Sequence, residues 1–145
     1  MLRRFNIRVY GIFIKDGYVL VSDEFRFGIK MTKFPGGGIE ENEGLKDCIL
    51  RECLEEFNQE FKIVGHFYTT DFYITSSFNP DEQLLSIYYR ISPIDDIKFR
   101  ISQIPFDFEM IDEAQSFRWI KLSEIQSNDF TFPIDKLVGE KLKNF

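Results

Sequence analysis

The sequence predicts one α+β domain built around a mixed sheet. Three observations predict it: short stretches of alternating apolar residues, one segment (Leu45 to Phe57) with helical spacing, and Gly or Pro at the boundaries between them. A length of 145 residues suits a single domain, taken as residues 1–145. A chain of that size buries a core without disulfide or zinc staples.

In chain order, Ile7, Val9 and Gly11 share one parity, and a bulge at Gly11 would pass it to Ile12 and Ile14. Asp16-Gly17 is a hairpin signal leading into Tyr18–Val21. Lys30–Phe34 is a third extended piece, stopped by Pro35. Gly36-Gly37-Gly38 cannot occupy a helix interior; it marks backbone that turns sharply or admits another group at close range. Gly44 with Asp47 forms a weak capping box for the helix, and Asn58 stands where a left-handed C-cap residue is expected. Phe61–Val64 through Tyr73–Thr75 reads as extended, and Leu84–Ile91 as a further strand ended by Pro93. A short strand is expected around Ile97–Ile101, followed by a loop. Ser116–Ile120 reads as a strand, Ser123 as the cap of a short helix, and Pro133 as the N1 residue of a final helix.

Charge and composition narrow the chemistry. A net charge of -6 argues against a duplex nucleic-acid binder, whose affinity rests on surplus Lys and Arg. With His66 as the single histidine, a multi-histidine zinc site within one chain is excluded. Hydrolysis would fall to carboxylates, which favour hard cations such as Mg²⁺ or Mn²⁺. Cys48 and Cys53 lie about 7.5 Å apart along one helix, beyond the roughly 7 Å reach of a disulfide. They read as buried reduced thiols of a cytoplasmic protein. No signal peptide or membrane span is visible.

The segment Leu45–Phe57 carries the strongest signal. At about 100° per residue, Leu45, Cys48, Ile49 and Cys53 define an inward stripe. Glu52 and Glu56 fall inside it and Glu55 on its edge, whereas Arg51 and Lys46 point elsewhere. Glu52 and Glu56 form an i,i+4 like-charge pair, costing about 0.2–0.5 kcal/mol even when exposed and more when partly buried. A divalent cation would resolve that conflict, and the glycines upstream offer a carbonyl ligand and room for a phosphate.

These residues resemble the signature of the Nudix hydrolases, G-x5-E-x7-R-E-U-x-E-E-x-G-U, where U is aliphatic. Gly37, Glu43, Arg51-Glu52-Cys53 and Glu55-Glu56 stand at the required spacings, preceded by Phe34-Pro35-Gly36-Gly37-Gly38-Ile39-Glu40. The match departs at its end, where Asn58 replaces the glycine and Gln59 the aliphatic residue. Asn58 still tolerates the left-handed conformation. Gln59 is expected to loosen the packing of the following loop, with Phe61 taking over.

The resemblance implies a Nudix-like α/β/α sandwich with a mixed, curved sheet. It also implies Mg²⁺-dependent cleavage of the pyrophosphate bond in a nucleoside diphosphate linked to another moiety. Carried over residue by residue, Glu52, Glu55 and Glu56 are the metal ligands, joined by a main-chain carbonyl of Gly36 or Gly37. Arg51 and Glu43 are a supporting ion pair that positions Glu52. The general base is either Glu52 or an acid from the stretch Asp107, Glu109, Asp112 and Glu113, with Glu109 preferred there. Asp112 or Glu113 would instead read a nucleobase edge. Phe34 is a candidate stacking platform, along with Phe5, Phe78 and Phe106.

The expected substrate is a nucleoside triphosphate or nucleotide sugar. ADP-ribose is an alternative that the short stretch before the box disfavours. A non-catalytic nucleotide-sensing module is the competing class; such modules usually lose box carboxylates, which are intact here. An isomerase would need Cys and His ligands that are not laid out, and a decapping enzyme a basic surface. A homodimer is common in the family, and neither membrane nor duplex nucleic acid is an expected partner.

Overall fold

The structure, a computed structural model, describes residues 4–145. In chain order it comprises β1 (Arg4–Ile12), β2 (Ile14–Lys15), β3 (Tyr18–Arg26), β4 (Ile29–Lys33), β5 (Gly36–Gly38), α1 (Leu45–Phe57), β6 (Phe61–Thr69), β7 (Glu82–Pro93), β8 (Ala114–Lys121) and α2 (Pro133–Leu142). Two sheets and two α-helices give the mixed α+β class that the sequence predicts. The chain gathers into two compact units, one formed by the segment up to Ile12 with Pro35–Ile97, the other by Phe13–Phe34 with Lys98–Phe145.

The first unit holds a sheet of order β5-β1-β7-β6. β1 runs parallel to β7, with Val9 opposite Ile87, and antiparallel to β5, with Val9 opposite Gly37. Its core contains Val9, Ile87, Ile91, Cys48, Ile49, Cys53, Phe57 and Phe61, all buried. The predicted stripe of α1 supplies three of these, Cys48, Ile49 and Cys53, with Phe57 buried beside them and Leu45 half-buried at the helix start. No bulge occurs at Gly11, which pairs in register with Tyr89. A Cβ there would overlap the Ile91 side chain, so a demand for space replaces the expected break in parity.

The caps of α1 follow the sequence. Gly44 donates its N–H to Asp47 Oδ2 at 2.9 Å. Asn58 takes φ 51°, ψ 38° and donates its N–H to the Leu54 carbonyl. Gln59 does the opposite of loosening: it is buried, and its Nε2 donates to the carbonyl of Asp96 at 2.7 Å. Phe61 packs on Phe57 in a tilted pair with ring centroids 4.9 Å apart. A side-chain amide thus ties down the segment that an aliphatic residue was expected to pack.

The second unit holds the sheet in which β3 pairs with β2, β4 and β8. Asp16 (φ 53°) and Gly17 (φ 83°) form the predicted tight turn between β2 and β3. Residues Ile97–Ile101 form no strand; only the isolated bridge Ser102–Arg118 appears nearby. Side chains, described below, fix this stretch instead of a ladder. Ser123 lies inside a 3₁₀ turn, Leu122–Glu124, rather than capping it. Pro133 is the N1 residue of α2, which buries Ile134, Val138 and Leu142. Among the described residues no helix is long and apolar enough to cross a membrane.

Candidate active site

The site is built where α1 meets β5. The three glycines are a short edge strand rather than a turn, and their lack of side chains lets other groups lie directly on the backbone. A Cβ on Gly37 would overlap the Glu52 carboxylate, and one on Gly36 would overlap the Val9 carbonyl. Gly36 also has φ 139°, a conformation that side-chain-bearing residues rarely adopt. Glu56 Oε2 accepts the Gly36 N–H at 2.9 Å. Two box carboxylates, one helical turn apart, therefore rest on consecutive glycines.

Arg51 is the hub of the cluster. Its Nε and Nη2 donate to Glu43 at 2.9 and 2.8 Å, a two-pronged pair, and Nη2 also donates to the Gly38 carbonyl at 3.0 Å. Nη1 donates to Glu52 Oε1 and Glu55 Oε2, each at 3.1 Å. The helical angle had pointed Arg51 away from the acids; a long side chain leaning back along the helix reaches them all the same. The hydrogen bond from Arg51 holds the Glu43 carboxyl down at about 2, far below the usual carboxylate range. The same bond, with the charges of Glu43 and Glu52, stabilises the guanidinium cation.

Both thiols are buried and unpaired with each other. Burial, reinforced by the Glu43 charge, pushes Cys48 up to about 12. Burial and the charges of Glu56 and Glu52 push Cys53 up as well. Burial thus disfavours the thiolate form of both.

The remaining predicted residues belong to the second unit, apart from Phe5 and Phe78 in the first. The Asp107 carboxylate accepts from Ser102 Oγ at 2.6 Å and from Arg100, and these bonds lower its pKa. Asp112 Oδ1 accepts the Phe27 N–H at 3.1 Å, and Glu113 lies 3.8 Å from Arg26. Glu109 is exposed, and its carboxylate has no hydrogen bond or ion pair among the described residues. Phe34 is not a stacking platform: it is fully buried and stacked on Phe130 at 4.7 Å. Of the other candidate rings, Phe5 and Phe78 are exposed, and Phe106 packs beneath Lys30.

One pair escaped the sequence reading. Arg8 and Tyr10 share a face of β1, and Arg8 Nε donates to the Tyr10 hydroxyl at 2.6 Å. An arginine placed between Ile7 and Val9 in β1 was the available signal.

A model of the NUDIX domain matches residues 2–139. The chain belongs to the Nudix family and is a Nudix hydrolase. No curated protein matches the sequence. Among solved structures it resembles the E. coli ORF135 protein in solution, at 15% identity and TM-score 0.71 over 95% of this chain and 88% of that one. The MutT NUDIX hydrolase of Burkholderia pseudomallei gives 15% identity and TM-score 0.69 over 95% and 98%. The MutT protein of Methanosarcina mazei Go1 gives 15% and 0.67 over 99% and 96%. At these identities the likeness establishes a shared fold.

Proposed function

We propose that the protein hydrolyses, with Mg²⁺ or Mn²⁺, the pyrophosphate bond of a nucleoside triphosphate or nucleotide sugar. The observation that carries this reading is the seating of Glu52 and Glu56 on the glycine strand. The donors there are all oxygen, which suits a hard cation. Among the described residues no three His, Cys, Asp or Glu side chains stand together as a metal cage. Glu52 and Glu56 would therefore hold the ion directly, with a main-chain oxygen of Gly36 or Gly37, water and substrate, and Glu55, engaged by Arg51, would join through water. Mg²⁺ is usually held in that way, keeping several waters beside one or two carboxylates. When bound, it supplies charge neutralisation for the phosphoryl oxygens.

The protein's own groups divide the remaining work. Arg51, clamped by Glu43, fixes the rotamer of Glu52 and so where its second oxygen points. Glu52 is the proton acceptor of this reading. Glu109 is the second reading, favoured by one observation: it is the acid of the 107–113 stretch whose carboxylate is not already engaged. We assign both units to one domain over residues 1–145, because the family match runs through both. The buried thiols support a cytoplasmic protein.

The test is release of phosphate, pyrophosphate or nucleoside monophosphate from nucleoside triphosphates, nucleotide sugars and ADP-ribose with Mg²⁺. Turnover of a triphosphate or nucleotide sugar is expected, falling by about 100-fold in Glu56→Gln. Full activity in that variant would remove Glu56 from the ligand set. Tight binding without turnover under any metal would instead make the protein a nucleotide sensor.

A further inference from the structure

We propose that Arg8 is a specificity-determining residue that takes the terminal phosphoryl group of a nucleoside triphosphate. This rests on the hydrolase reading above and deepens it. β5 is the end strand of its sheet, and successive residues of a strand face opposite sides. Gly37 lies opposite Val9, and the direction of its missing side chain meets Glu52. Gly36 and Gly38 lie opposite Tyr10 and Arg8; a Cβ on Gly36 would meet the Val9 carbonyl and Tyr10, and the missing side chain of Gly38 points at the Arg8 guanidinium. Arg8 Nη1 stands 3.5 Å from the place a Gly38 Cβ would occupy. A single strand without side chains thus separates a carboxylate on one face from a guanidinium on the other, and the two faces meet at its outer edge, where Glu56 accepts the Gly36 N–H and Arg51 donates to the Gly38 carbonyl.

Arg8 is arranged as a fixed cation. Nε donates to the Tyr10 hydroxyl at 2.6 Å, and the guanidinium carbon lies 5.6 Å from the centroid of the Tyr10 ring. This orients the fork of N–H donors at little further entropic cost on binding. The residue is half-buried, so its field is less screened than that of a surface arginine. A guanidinium fork matches phosphate oxygens two at a time. Arg51, the other arginine beside β5, is committed to Glu43, Glu52, Glu55 and the Gly38 carbonyl. It holds the acids in place and is not available to a phosphate.

A substrate anchored by its scissile anhydride at Glu52 and Glu56 and passing over the edge of β5 would present its far end to Arg8. In a triphosphate that end is a charged phosphoryl group; in a nucleotide sugar it is a neutral polyol. Arg8 therefore selects the triphosphate.

The test uses Arg8→Met and Arg8→Lys with two readouts. The first is calorimetric binding, with Mg²⁺, of a nucleoside triphosphate carrying an α,β-methylene bridge. The second is KM and kcat for triphosphates and nucleotide sugars. Arg8→Met should weaken binding of the methylene analogue and raise the triphosphate KM by about 10- to 100-fold, the loss of a charged hydrogen-bond pair. The kcat should stay within about threefold, and the nucleotide-sugar KM within about twofold. Arg8→Lys keeps the charge but loses the fork and should fall between the two. If Arg8→Met does not fold, Arg8→Lys alone decides. Analogue binding equal to wild type in the folded variants overturns the proposal, as does an equal loss for nucleotide sugars. An absence of turnover in the wild type would overturn the hydrolase reading while leaving the binding measurement to judge Arg8.

Discussion

Asp23 in β3 and Glu52 in α1 are both carboxylates beside an arginine, and their surroundings differ in one respect. Asp23 is fully buried and receives Arg118 through Nε at 2.6 Å and Nη2 at 3.2 Å, Thr32 Oγ1 at 2.7 Å and the Phe106 N–H at 3.1 Å. Its neighbour Glu24 has Lys33 at 3.1 Å and Ser22 at 2.8 Å. There each acid has its own cation and its own neutral donor. Around α1, one arginine, Arg51, is shared within 4 Å by Glu40, Glu43, Glu52 and Glu55. Balanced charge in the second unit is an internal brace; the surplus of acid around Arg51 is what the proposed cation would offset. Substitutions in the two clusters should therefore fail in different ways.

The largest effect is expected in the brace. Arg118→Met leaves Asp23 buried without its cation, and breaking such a pair costs about 3–5 kcal/mol. Urea midpoints should fall accordingly, with turnover per folded molecule little changed. If Arg118→Met is as stable as wild type, the contrast between the clusters collapses.

Removing an acid from the unbalanced cluster should act on function instead. Glu52→Gln is expected to lower turnover by about 100-fold or more. Without metal its stability should stay within about 1 kcal/mol of wild type, since it relieves like-charge repulsion as it loses a shared ion pair. Gly37→Ala should reproduce the functional loss, because the added methyl displaces the Glu52 carboxylate. A Glu52→Gln protein that unfolds instead would mean that the two clusters do the same job.

Metal provides an intermediate test. At Mg²⁺ about 100-fold above its dissociation constant, wild type should gain about 2.7 kcal/mol against denaturant. Glu52→Gln/Glu56→Gln should gain almost nothing. Thermal melts with and without Mg²⁺ read this difference directly.

The two clusters were also unequally legible. The first is local: Gly37 to Asn58 carry the helix, its caps and all the box acids, so periodicity and spacing reach them. What spacing missed there is reach, since Arg51 bends back to the acids and Gln59 finds the Asp96 carbonyl. The second is assembled from residues far apart in the chain; Asp23 meets Phe106 and Arg118 across 83 and 95 positions. No window of sequence contains such a pair. The 97–113 stretch was misread as containing a strand for the same reason: Asp23, Ser102 and Arg100 organise it through side chains. Phe34, an aromatic just before the glycines, looked like a platform because burial is a property of the fold and not of position.

The smallest expected effect concerns acid. Glu43 titrates near 2 in the folded protein against an ordinary value of 4.5, mainly because Arg51 hydrogen-bonds its carboxylate, with the Glu40 N–H adding to it. A depressed folded pKa stabilises the protein above the unfolded value, and that contribution is lost as pH falls from about 4.5 to about 2. Glu43→Gln should therefore be slightly less stable than wild type at pH 7, and the gap should close through this window. Denaturant titrations of both proteins at pH 7, 4.5 and 3 check it. A constant gap at all three would show that Glu43 acts through shape rather than charge, and that the charge around Arg51 is set by Glu40, Glu52 and Glu55.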